Sequence, residues 1–145
     1  MSAPFDPELV MARLRLLPDL QLVEGAAEYA AITQLRDFRA ASAYVLLARE
    51  DADAQPGAAA GRQRALVTFA VVLATNAYAD SRGAAAAAAV RPLVGAVRTQ
   101  LIGWTPAVQG GRPVHWLQGD VLDYDANIIL WREIYQTQHF IGPGA

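Results

Sequence analysis

The stretch "RQRALVTFAVVLATNAY", residues 62–78, sets the strongest limit on what this chain can fold into. Both of its alternating sets are apolar: Leu66, Ala70 and Val72 on one side, Val67, Phe69, Val71 and Leu73 on the other. Its β-branched and aromatic content reads as a strand. A strand apolar on both sides must be covered on both, by helices, another sheet or a neighbouring subunit. Thr68, Thr75 and Asn76 interrupt the run, which falls short of the roughly 18 apolar residues a membrane span needs. No membrane partner is expected.

A need for cover fits the rest of the composition. The 145 residues suit one domain, 1–145, able to bury a core without staples. Hydrophobic residues make up 54% and charged ones 18%, too apolar for disorder and apolar for a free monomer. Part of that surplus is expected between subunits. A net charge of −2 gives no electrostatic case for nucleic acid as the main partner. All twelve basic residues are Arg, first of all a sign of coding bias. With no Cys, disulfides and thiolate chemistry are excluded. "MSAPFDPELV" has no basic segment leading into an apolar one, so first action in a host cytoplasm is expected.

Helix and turn signals order the remainder. Asp6 can cap a helix that Pro7 starts and Pro18 ends, with Val10, Leu14 and Leu17 on one face. "LQLV" is a short extended piece, and Gly25 to Phe38 a weaker helix. Ser42 to Glu50 reads as a strand, and "DADAQPGAAAG" as a loop turning at Pro56-Gly57, giving a first hairpin with the 62–78 strand. The main helix starts at a Ser81 cap, carries Val90, Leu93, Val94, Val97 and Leu101 as one stripe, and stops at Gly103. Pro92 within it predicts a kink or restart. Two strands, Val114 to Leu122 and Ala126 to Phe140, close the chain around the turn "DYDAN". This order predicts α+β: an antiparallel β-sheet of two hairpins with helices packed on one face.

Candidate chemistry is thin. Asp120, Asp123 and Asp125 crowd together, and Asp123 with Asp125 could face a hard cation. The EF-hand pattern fails, because its central Gly and closing Glu positions hold Ile128 and Ile134. Asp and Asn are also the residues a hairpin turn uses. His115 and His139, at the two ends of the last hairpin, could sit side by side but lack a third ligand pattern. No Gly-x-Ser-x-Gly elbow surrounds Ser2, Ser42 or Ser81, and "GAAAGR" at 57–62 lacks the spacing and Lys of a phosphate loop. No catalytic residue, cofactor site or metal site is assigned. Trp104, Trp116 and Trp131 stand at a helix end and on the two final strands. Along the last strand, Trp131, Glu133, Tyr135 and Thr137 share one side, and Leu130, Arg132, Ile134 and Gln136 the other. That mixture suits partial burial against a partner, and core packing explains Trp131 equally well.

In their order, "ELVMARLRLLPDLQLVEGAAEYAA", "RALVTFAVVLATNAY", "LIGWTP" and "WLQGDVLDYDANIILWREIYQTQHF" resemble the tail terminator (tail completion) proteins of tailed bacteriophages, across nearly the whole chain. The resemblance implies a small α+β virion subunit, not an enzyme, that forms a hexameric ring. The ring would cap the head-proximal end of the tail tube, end its polymerisation and meet head–tail connector proteins. DNA would pass through its lumen without sequence-specific binding. Trp116, Trp131, Arg132, Glu133, Tyr135, Asp51 and Asp53 are the candidate interface residues, the two aspartates being available to Arg side chains of a neighbour. Two alternatives stand beside this: another connector or tube-type virion component, and a small metal-dependent hydrolase using His115, His139 and the aspartates.

Overall fold

The computed structural model describes residues 2–53, 59–77 and 83–145, with backbone alone for residue 59 and residues 83–87. Strands β1 (Leu22–Glu24), β2 (Ser42–Ala52), β3 (Gln63–Asn76), β4 (His115–Tyr124) and β5 (Ile128–Ile141) form one sheet in the order β1-β2-β3-β5-β4. The 62–78 strand of the sequence is β3. It pairs antiparallel with β2 from Ala74 to Ala65 and with β5 along its whole length. All its neighbours in the sheet plane are therefore supplied by the chain itself. Both expected hairpins form, and "LQLV" adds one parallel strand, β1, beside β2.

Cover over β3 comes from two sides. Helices α1 (Glu8–Leu14) and α3 (Gly83–Leu101) bury Val10, Leu14, Val94, Val97 and Leu101 against Val67, Phe69, Val71 and Leu73. The short helix α2 (Ala26–Ala31) and a 3-10 turn at Leu35–Asp37 lie on the opposite face, where Tyr29, Ile32, Leu35 and Phe38 pack on Tyr44, Val72 and Leu130. The two main helices thus share one face as expected, while the Gly25–Phe38 segment crosses to the other. It does not form one helix: β-branched Ile32 is already extended, and the chain turns so that all four apolar side chains reach the sheet.

Local signals explain the element ends. Asp6 Oδ1 accepts the Glu8 N–H at 2.9 Å, as the capping pattern requires. Helix α1 stops at Leu14, short of Pro18, because its end tightens into Leu16 N–H to Arg13 O and Leu17 N–H to Leu14 O bonds. Helix α3 continues through Pro92, which lies on its exposed side where water can take the Ala88 carbonyl the ring leaves unpaired. The Ser81 cap and the Pro56-Gly57 turn lie outside the described residues. No described helix is long and apolar enough to cross a membrane.

A bulge in β2 between Leu47 and Arg49 changes which face each later side chain takes. Glu50 thereby turns inward opposite Val67, and Asp51 outward opposite Leu66. Asp51 and Ala52 belong to this strand and not to the following loop. At the other end of the fold, Gly103 (φ 86°) stops α3, and Gly103 N–H and Trp104 O bond to Val114 O and N–H at 2.9 and 2.8 Å. That two-way clasp aims β4 along β5.

Candidate functional site

Strand β4 is the outer edge of the sheet and its least buried member. Of the large apolar side chains left exposed among the described residues, Trp116, Leu117, Val121 and Tyr124 all stand on it. Ile102, also exposed, lies one helical turn beyond Arg98, which itself touches β4. Two bulges, at Trp116/Gln118 and Val121/Asp123, interrupt the ladder to β5. They break the regular row of backbone groups that an open edge presents and leave the apolar side chains as its dominant feature.

Beneath this edge lies a buried ion pair. Glu133 on β5 has 0% of its surface exposed, and each carboxylate oxygen accepts two hydrogen bonds. Oε1 takes Arg98 Nη2–H at 2.8 Å and Trp131 Nε1–H at 2.7 Å. Oε2 takes Arg98 Nε–H at 2.9 Å and the Tyr135 hydroxyl at 2.9 Å. The fork of the guanidinium matches the carboxylate in the two-bond geometry that only Arg provides. A buried carboxylate needs such complete pairing to remain charged. The Glu133 hydrogen bonds in turn hold the Arg98 pKa above the usual guanidinium range. Burial first, and the Glu133 charge second, push the Tyr135 hydroxyl far above the ordinary tyrosine range.

Gly119 makes room for this arrangement. It pairs with Glu133 across the ladder. A Cβ there would stand 2.5 Å from Glu133 Oε1, 2.9 Å from Trp131 Cζ2 and 3.1 Å from Arg98 Nη2. The outer side of the Arg98 guanidinium is capped by Trp116, whose ring centroid lies 4.7 Å from Cζ. Alongside runs a groove of 530 Å³ between α3 and the sheet, lined by Val90, Arg91, Val94, Gly95, Arg98 and Trp131.

Four of the seven candidate interface residues therefore converge: Trp116, Trp131, Glu133 and Tyr135 all surround Arg98. Glu133 and Tyr135 keep no exposed surface with which to touch another chain, because that surface is spent on Arg98 and on each other. Arg132 lies on the opposite face, in a two-bond pair with Asp120 at 3.1 and 2.9 Å. Asp51 pairs with Arg49 at 3.0 Å and Asp53 with Arg64 at 2.9 Å, so both aspartates already meet Arg within the subunit. Arg98 is the residue that sequence reasoning missed. Its signal was present: it continues the apolar row Val90, Val94, which implies an acidic partner across the interface.

The residues of the hydrolase alternative do not meet. The register sets His115 opposite Gln136, three residues short of His139 and on the other face of the sheet. His115 Nε2 lies 3.1 Å from Gln136 Oε1, whereas buried His139 meets Glu50. Among the described residues no three His, Asp or Glu gather as a metal site. The acidic tip is a turn: Asp125 Oδ1 accepts the Asn127 and Ile128 N–H groups at 2.7 and 2.9 Å, which lowers its pKa.

The site is thus a fully satisfied ion pair under an aromatic edge, on a sheet covered by the chain's own helices. The chain belongs to the phage tail terminator protein family, whose model matches residues 1–144. Members of that family are structural, non-enzymatic components of the virion tail. A chain in the solved structure of the virion of a native gene transfer agent (GTA) particle shares the fold. Its TM-score is 0.54 at 21% identity, covering 89% of this chain and 90% of that one. None of the curated proteins matches.

Proposed function

We propose that six copies of this chain close into a ring that caps the head-proximal end of the tail tube. The ring ends tube polymerisation, offers its far side to head–tail connector proteins and lets DNA pass through its lumen. The observation that carries this reading is the apolar β4 edge, Trp116, Leu117, Val121 and Tyr124, in a chain of the tail terminator family. A cap on a sixfold tube must repeat one contact six times, and a ring does so when each copy meets the next head to tail. The 54% hydrophobic composition supports burial between copies beyond what the core uses. Arg132 and Asp120, half exposed on the other face of the same two strands, are polar candidates for setting the register between copies.

Removing the protein from an assembling phage should give tails of irregular length that fail to join heads. Arg132→Glu should weaken ring closure more than subunit folding, since an exposed pair contributes about 0–1 kcal/mol to the fold. Normal-length tails joined to filled heads without the protein would overturn the terminator role. Labelled protein along the tube shaft or within the connector would assign it to one of those neighbouring components instead.

A further inference from the structure

We infer that Arg98 is a positioning residue for the contact between copies: locked from below by Glu133, it holds the Trp116 indole as a preformed anchor on the β4 edge. The inference rests on the ring reading above and names how its interface is built, with a second copy of this chain as the occupant.

Glu133 is wholly enclosed and accepts four hydrogen bonds, so its carboxylate has one available position. Two of those bonds fix the guanidinium plane of Arg98, and that plane is the surface on which Trp116 rests. Trp116 is nevertheless 41% exposed, at the start of the apolar row along β4. An exposed aromatic that packed on nothing would lose side-chain freedom on docking; one already seated loses little. Large aromatic anchors next to Arg are what concentrate affinity at interfaces. Gly119 completes the device, since any side chain there would enter the space of Glu133 and Arg98. The ion pair is thus more than a core feature: one end lies inside the sheet and the other lies under the one edge that is rich in exposed apolar groups.

Self-association by sedimentation velocity, over a range of concentrations of the full chain, tests the inference. Trp116→Phe keeps a ring face over the guanidinium and should assemble nearly as the wild type. Trp116→Leu keeps apolar bulk without that face and should weaken each contact about fivefold. Arg98→Lys should weaken assembly in the wild-type background and have no further effect on assembly in the Trp116→Leu background. It should lower the melting temperature in both, which separates positioning from folding. Equal assembly of Trp116→Leu and wild type would overturn the inference while leaving the ring intact. So would an Arg98→Lys effect of the same size in both backgrounds. If Arg98→Lys does not fold, the Phe and Leu variants, which alter only an edge residue, decide alone. A wild-type chain that stays monomeric at every concentration and on tube ends would remove the ring reading itself.

Discussion

His139 Nε2 lies 2.8 Å from Glu50 Oε1, and that same oxygen accepts the Phe5 N–H at 2.7 Å. One carboxylate atom therefore ties the N-terminal segment, β2 and β5 together beneath the Phe5 ring, which stacks on Phe69 and meets the His139 ring edge-on. The tie depends on the β2 bulge, without which Glu50 would face outward. Glu50→Ala should cost about 1–3 kcal/mol in urea unfolding, because it leaves a buried imidazole and a backbone N–H without their acceptor. Faster proteolytic clipping within residues 2–6 should accompany it. Unchanged stability and clipping would show that Phe5 is held by its ring contacts alone.

Gly119→Ala tests the space above the ion pair. The added methyl meets carboxylate and indole atoms that are themselves fixed, so relief must come from the backbone. A loss of about 1–3 kcal/mol is expected. For a chain of this length that lowers the melting temperature by about 2–4 °C per kcal/mol.

The two halves of the ion pair should not be equivalent. Arg98→Ala strands a carboxylate with no exposed surface and should cost about 3–5 kcal/mol. Glu133→Ala leaves a guanidinium whose side chain is 37% exposed and can turn to water, so its cost should be smaller. Chemical denaturation of both variants gives the order. The reverse order would mean that the Trp131 and Tyr135 donors, not the arginine, dominate the site.

Much of this fold is legible in the sequence. The two-sided apolar pattern of β3 demanded cover on both faces, and the Asp/Asn-rich tip announced a turn. The three residues of β1 were not legible as a parallel strand, because three positions carry no period. The Gly25–Phe38 segment misled because Tyr29, Ile32 and Arg36 keep helical spacing, while the sheet face rewards a bent path that seats Tyr29, Ile32, Leu35 and Phe38 together. Glu133 stood out as one charge in an aromatic row, which fits a partner surface as well as a buried pair. Only the fold brings Arg98, 35 residues away, onto it.

Tyr135 should reveal itself on alkaline titration. Its hydroxyl holds its proton far more strongly in the folded chain than in the unfolded one, where ionisation occurs near 10. The stability this contributes is complete below about pH 10 and is lost as the pH rises above it. Phenolate absorbance should therefore show one tyrosine that stays silent until the chain unfolds. Tyr135→Phe should remove that component.

Asp125 works in the opposite direction at the turn. Hydrogen bonds from Asn127 and Ile128 hold its pKa below the ordinary carboxylate range, so its contribution is present above that range and lost as the pH falls through the folded value. Asp125→Asn keeps the acceptor oxygen and should keep the turn while removing this acid dependence; Asp125→Ala should weaken the hairpin at every pH. Changing Asp123 and Asp125 together to Asn should leave assembly intact. One bound transition metal per chain, lost in that double variant, would contradict the turn reading.

The far margin of the sheet behaves unlike β4. Strand β1 has three residues, and the Arg15 guanidinium, paired with Glu8, already occupies the Val23 carbonyl at 3.2 Å. A molecule with two open margins can add copies without limit, as fibril-forming strands do. Among the described residues only β4 is left as an open margin, so strand-to-strand stacking through both margins is blocked, and a copy that docks on β4 must meet a different surface of its neighbour. Runaway growth of edge-to-edge fibres is thereby closed off, while β4 itself stays available to a neighbour.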